Sequence, residues 1–116
     1  MHEVIDFFNM MNELVSDGLI KHEVDYKQIN EGKFLAIKFN NIYDILKENT
    51  KNSLIFKFRC LSIKKFVSKQ SYCVSSNKVV KMRDAKTLKF KPERVMVIDI
   101  DNLEKNGAKL TNLYLK

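Results

Sequence analysis

The chain has 116 residues, 45% hydrophobic and 30% charged, with three glycines, one proline and a formal net charge of +7. That length suits one domain that folds without disulfide staples, and that composition excludes a disordered tail or a linker-rich protein. No stretch approaches the run of about 18 apolar residues that a membrane span needs. The opening Met1-His2-Glu3-Val4-Ile5-Asp6 is acidic and lacks a secretory hydrophobic region, so the expected setting is the cytoplasm.

The charge is unevenly spread. Residues 1–50 hold five Lys/Arg against nine Asp/Glu, residues 51–91 hold twelve against one (Asp84), and residues 92–116 hold four against four. A segment with an excess of +11 repels itself unless a polyanion lies near, and phosphate backbones or acidic membrane surfaces are the usual candidates. A lysine-rich solvated face is the competing reading: Lys outnumbers Arg eighteen to three, and there are eleven Asn. Such a bias leaves unexplained why acids vanish from one segment only.

In chain order, residues 3–16 carry Val4, Phe8, Met11 and Val15 at helical spacing, with Glu3 and Asp6 in the first turn and Gly18 as a stop. Residues 19–33 are polar and broken, ending in a turn signal at Asn30-Glu31-Gly32. Phe34 to Phe39 predicts a strand. A helix over 42–50 follows, capped by Asn40 or Asn41. Residues 54–60 alternate and suggest a short strand or an extended connector. Ser62 precedes Ile63, Phe66 and Val67, whose spacing predicts a helix over 62–70. Tyr72, Val74, Val79 and Met82 flank a Ser75-Ser76-Asn77-Lys78 turn and suggest two strands. Arg83 to Pro92 reads as a long basic loop, and Arg94 to Ile100 as the clearest strand. Asp101 or Asn102 caps a last short helix, and the tail from Gly107 is either a final strand or loose. The fold class expected is α+β, winged helix-turn-helix-like: helices at the N-terminal end and a C-terminal β-hairpin wing, in a single domain over 1–116. In that arrangement one helix enters the major groove and the hairpin touches backbone or minor groove.

The helix at 62–70 would turn Lys64, Lys65, Ser68 and Lys69 outward. Lysine suits phosphate as a point charge, whereas arginine reads guanine with two bonds. With no arginine and only Gln70 as an amide, this helix suits backbone engagement more than base reading. The wing would add Lys78, Lys81, Arg83, Lys86, Lys89 and Lys91, with Arg83 the candidate for a minor groove. Tyr72 and Phe90 are either stacking platforms for unpaired bases or core residues. Six to eight phosphate contacts would give a log–log salt slope of roughly −5 to −7.

No catalytic set stands out. His2 is terminal, and His22 with Glu23 and Asp25 makes neither a triad nor a metal site. Asp99 and Asp101 share the spacing of a two-metal carboxylate pair, but without a third partner they read as a solvent-facing side chain and a helix cap. Cys60 and Cys73 lie thirteen residues apart with no CxxC and no nearby histidine, and read as two inert, partly buried thiols. No catalytic residue, metal or cofactor is expected.

Phe34-Leu35-Ala36-Ile37-Lys38-Phe39-Asn40-Asn41-Ile42-Tyr43, Leu61-Ser62-Ile63-Lys64-Lys65-Phe66, Gln70-Ser71-Tyr72-Cys73-Val74, Asn77-Lys78-Val79-Val80 and Arg94-Val95-Met96-Val97-Ile98-Asp99-Ile100-Asp101-Asn102-Leu103 together form a pattern. It resembles the winged-helix domain found at the C-terminal end of phage- and plasmid-type primase-helicases. The resemblance covers about 60 residues and rests on apolar and turn positions. It implies DNA engagement in replication of a phage or mobile element, with Lys64, Lys65 and Lys69 on a recognition helix and Lys78 to Lys91 on a wing. No helicase motor or primase core accompanies it. Expected partners are therefore DNA, single- or double-stranded, and a separate helicase or primase or a second copy of the chain, but not a membrane. The alternative is an inhibitor or adaptor of similar origin that acts by binding protein.

Overall fold

The computed structural model describes residues 2–50, 54–57 and 59–113. Helix α1 (His2–Ser16) buries Val4, Phe7, Phe8, Met11 and Leu14 while Asp6 and Glu13 face solvent, as the apolar spacing requires. Gly18, at φ +78°, ends it, a conformation that costs glycine nothing.

The broken run that follows contains a strand the apolar pattern does not reveal, β1 (Tyr26–Ile29). It pairs antiparallel with β2 (Phe34–Ile37), through a turn in which Asn30, Glu31 and Gly32 all have positive φ. Tyr26 and Ile29 are its only apolar residues, so the strand exists because β2 supplies its hydrogen bonds, not because the segment favours it.

Helix α2 (Phe39–Asn49) starts three residues before the expected position. Neither Asn40 nor Asn41 caps it: Lys38 is the N-cap, with no side-chain hydrogen bond. The Lys38 amide donates to the Asp25 carbonyl at 2.9 Å, which ends β2, and the Phe39 ring stacks on Phe7 at 4.9 Å. The helix start is thus set by packing. Residues Leu54–Lys57 form a 3-10 turn rather than a strand, because Phe56 docks edge-on against Tyr43. Phe58, also in the expected strand, lies outside the described residues.

Helix α3 (Cys60–Ser68) buries Ile63 and Val67. The two short strands expected around Ser75-Ser76-Asn77-Lys78 are one continuous strand, β3 (Cys73–Arg83). Its partner β4 (Phe90–Asp99) starts four residues before the expected strand, and the two pair from Cys73↔Ile98 to Arg83↔Phe90. Ser75 opposes Val97 and Lys78 opposes Val95, so Ser76 and Asn77 share the place opposite Met96. The expected turn is a β-bulge, which bends a strand without reversing it. Reversal happens in a tight loop over residues 84–89, not a long basic one. There Asp84 Oδ1 accepts the amides of Lys86 (2.8 Å) and Thr87 (3.0 Å).

Asp99, not Asp101 or Asn102, caps α4 (Ile100–Lys105) by accepting the Asn102 amide at 3.2 Å, because β4 keeps its extended conformation up to that residue. Up to Leu113, the last described residue, the tail is neither strand nor loose. It includes a 3-10 turn (Thr111–Leu113) with Leu110 and Leu113 buried. Asn9 and Asn12 of α1 hold it by accepting the Lys109 and Asn112 amides, each at 2.7 Å.

The described residues thus form an α+β architecture of four α-helices and one antiparallel sheet ordered β1-β2-β4-β3. Leu35, Ile37, Met96 and Ile98 face the main core with the helices, while Ala36, Met82, Val95 and Val97 form a smaller cluster on the other face, as alternation along strands dictates. The sheet curls until its edge strands approach: the Arg83 amide donates to the Glu23 carbonyl at 2.7 Å, and Lys27 Nζ to the Lys81 carbonyl at 3.2 Å. Among the described residues no helix is long and apolar enough to cross a membrane.

Candidate nucleic-acid interface

Ile63 and Val67 pin one side of α3 to the core, which leaves the side carrying Leu61, Lys64, Lys65 and Ser68 to line a groove. Its opposite wall is Ser76 and Asn77 from the β3 bulge and Arg94 from β4. The groove runs on to the start of α2, where Lys38, Asn40 and Asn41 meet the same Lys64 and Arg94. Arg94 Nη1 donates to Asn77 Oδ1 at 3.2 Å. Among the described residues, no carboxylate comes within ion-pair distance of Lys38, Lys64, Lys65 or Arg94. The one acidic residue of the wall, Glu93, pairs with Lys91 instead, at 3.3 Å. Since Lys38 gives α2 no side-chain cap, the positive end of that helix adds to the same field.

Of the residues read from sequence, Lys64, Lys65 and Ser68 come together in this groove. Ser68 spends its proton on the Lys65 carbonyl, at 2.7 Å, and keeps acceptor capacity. Lys69 is exposed at the C-cap of α3. Lys78 and Lys81 are exposed along β3, and Lys86 and Lys89 at the hairpin tip. Arg83 lies six residues beyond Asn77, roughly 20 Å along the strand, so the tip forms a separate basic spot.

Two expectations need correction, those for Arg83 and Lys91, and of the two readings of Tyr72 the core one holds. Arg83 is not poised for a minor groove. Its Nε lies 3.3 Å from Glu23 Oε1, its Nη1 donates to the Leu88 carbonyl at 2.8 Å, and its guanidinium covers the Phe90 ring at 4.2 Å. Lys91 is neutralised by Asp84 (3.0 Å) and Glu93. Those partners raise the Lys91 ammonium pKa, while the Thr87 and Lys86 amides, helped by Lys91, hold the Asp84 carboxyl far below the usual carboxylate range. Tyr72 cannot stack on a base. It is buried edge-on against Phe8, and burial pushes its phenol up to about 12. Phe90 remains 44% exposed, with Lys27 as well as Arg83 over its ring.

Lys38, Asn77 and Arg94 were not singled out from sequence. Arg94 falls three residues past the basic run ending at Lys91, and Lys38 belongs to the acidic half, so a charge count by segment passes over both. Cys60 and Cys73 are free and half-buried, with burial raising both thiols. Asp99 is occupied as a cap, and no group of three metal-ligating side chains gathers among the described residues. Compared with known protein families, curated proteins and solved structures, the chain has no match in any of the three.

Proposed function

We propose that this protein is a winged helix-turn-helix DNA-binding protein that grips the phosphate backbone through the groove between α3 and the β3–β4 hairpin. The single observation that carries this reading is the convergence of Lys38, Lys64, Lys65 and Arg94, from three separate regions of the chain, on one groove, none of them within ion-pair distance of a carboxylate among the described residues. Cations brought together without neutralisation repel one another, and a polyanion relieves that cost. The topology supports the same reading. The order α1-β2-α2-α3-β3-β4, with β4 between β2 and β3, supports a winged helix-turn-helix arrangement in which β1 is an added edge strand. Lys86 and Lys89 at the tip make an outlying backbone contact. The sequence resemblance makes replication of a phage or other mobile element the proposed setting.

Four groove cations and two tip lysines correspond to a log–log salt slope of about −5 on duplex DNA. The test is affinity measured against salt for duplex and single-stranded DNA, with the wild type and a variant carrying Lys64→Glu, Lys65→Glu, Lys86→Glu and Lys89→Glu. Loss of binding with an unchanged circular dichroism spectrum supports the reading, and undiminished DNA binding by that variant sinks it. A second reading, an adaptor that docks on a separate helicase or primase, draws on Leu61 and Val79, which are 62% and 55% exposed near the groove. It predicts no salt-dependent DNA affinity in the wild type.

A further inference from the structure

We infer that Arg94, positioned by Asn77, is the residue of this interface that reads sequence, and that the base it takes is guanine. The inference rests on the DNA-binding reading above and assigns specificity to the hairpin rather than to the helix. The most discriminating reading of a base edge comes from a side chain that holds two groups in fixed relation, arginine for guanine and asparagine or glutamine for adenine, whereas a lysine ammonium contacts guanine without a fixed fork. The outward side of α3 has none. Its groove-facing residues are Leu61, Lys64, Lys65 and Ser68, and Gln70 just beyond the helix gives its Nε2 to the Phe66 carbonyl at 3.2 Å.

Across the groove the choice narrows quickly. Asn40 Oδ1 accepts from Cys60 Sγ at 3.5 Å, Asn77 Oδ1 is taken by Arg94, and Asn41 lines only the part of the groove beside α2, not the part facing α3. Arg94 is exposed and spends one of its five N–H donors on Asn77, with no second partner among the described residues. A planar fork held on one side keeps its remaining donors in a defined direction. The bulge makes this possible: two residues stand opposite Met96, and the extra residue re-aims Asn77 toward Arg94, as bulges beside functional sites commonly do. The lysines around it supply charge without geometry and so suit phosphates.

The experiment uses the whole chain: selection from a randomised duplex pool, then affinity for the selected duplex and for a scrambled one. The wild type is expected to favour guanine-containing sites by about 10- to 100-fold. Arg94→Lys should lose that preference, its affinity for the selected duplex falling by more than its affinity for the scrambled one. Asn77→Ala should lose part of it. Lys64→Ala should weaken both duplexes alike and lower the salt slope by about one. Arg94 and Asn77 are exposed and Lys64 is half-buried, and circular dichroism checks the folding of all three variants. Selection without guanine, a preference that survives Arg94→Lys, or an equal loss on both duplexes overturns the assignment alone. Absence of any DNA binding by the wild type overturns the underlying reading together with it.

Discussion

Arg83 and Glu23 stand sixty residues apart in the chain and are joined twice, through the Arg83 amide to the Glu23 carbonyl at 2.7 Å and through Nε to Oε1 at 3.3 Å. This clasp ties the hairpin to the segment before β1, and it takes the hairpin's one arginine near the tip out of use as a DNA contact. Removing its acidic side should therefore change binding more than folding. Glu23→Gln deletes an anion and releases a cation on the hairpin, so DNA affinity at low salt should rise about threefold. The thermal midpoint should move little, since a partly exposed pair contributes about 0.2–1 kcal/mol and the backbone bond remains. Fluorescence anisotropy and a melting curve check both, and an affinity that falls would show that Arg83 needs its clasp to bind.

His22 lies beside this clasp, its Nδ1 3.9 Å from Glu23 Oε1 and its ring 5.5 Å from Tyr26. Burial lowers its pKa below the ordinary imidazole value. Glu23 opposes that shift, and Lys27 and Arg83 reinforce it. The unfolded chain then takes up the proton before the folded one does. Stability attributable to His22 is present above about pH 6.5 and is lost as pH falls through the lower folded value. Asp25, whose carboxyl is raised by burial, works in the opposite direction at lower pH. The wild type should lose more thermal stability between pH 7.5 and 5.5 than His22→Gln does, and an identical loss in both would remove His22 from the account.

Leu88 adopts φ +61° at the hairpin tip and is 57% exposed. A left-handed leucine costs roughly 1–2 kcal/mol, which glycine avoids, although glycine also loses more chain entropy on folding. Leu88→Gly should consequently stabilise the protein by about 0.5–1 kcal/mol, seen as a higher denaturant midpoint with unchanged slope. The exposed side chain gives up no packing in the exchange.

Asn12 is buried and satisfies the tail through its side-chain oxygen to the Asn112 amide and its carbonyl to Asn112 Nδ2 at 3.1 Å. Asn12→Ala strands the Asn112 amide and should cost about 1–3 kcal/mol. DNA affinity measured well below the melting temperature should stay at the wild-type value, because the tail packs on α1 and takes no part in the groove. Equal losses of stability and binding would place the tail in the interface after all.

Local spacing was enough to read α1, β2 and the strand part of β4, because the apolar residues that make those elements repeat with the period of the element. It also exposed the acid-poor basic run, since charge is counted without knowing the fold. Other features depend on partners distant in sequence. β1 forms only because β2 borders it, and the Ser75–Lys78 segment becomes a bulge only because β4 is long enough to pair past it. The same holds for the charges. Twelve cations within residues 51–91 say nothing of which will meet a carboxylate, and folding put Glu23 against Arg83 and Glu93 with Asp84 against Lys91. Folding also brought Lys38 and Arg94, from outside that run, beside Lys64. Periodicity is a local property that a chain displays before it folds, whereas the pairing of charges is set by distances that exist only once the sheet has curled and the helices have packed.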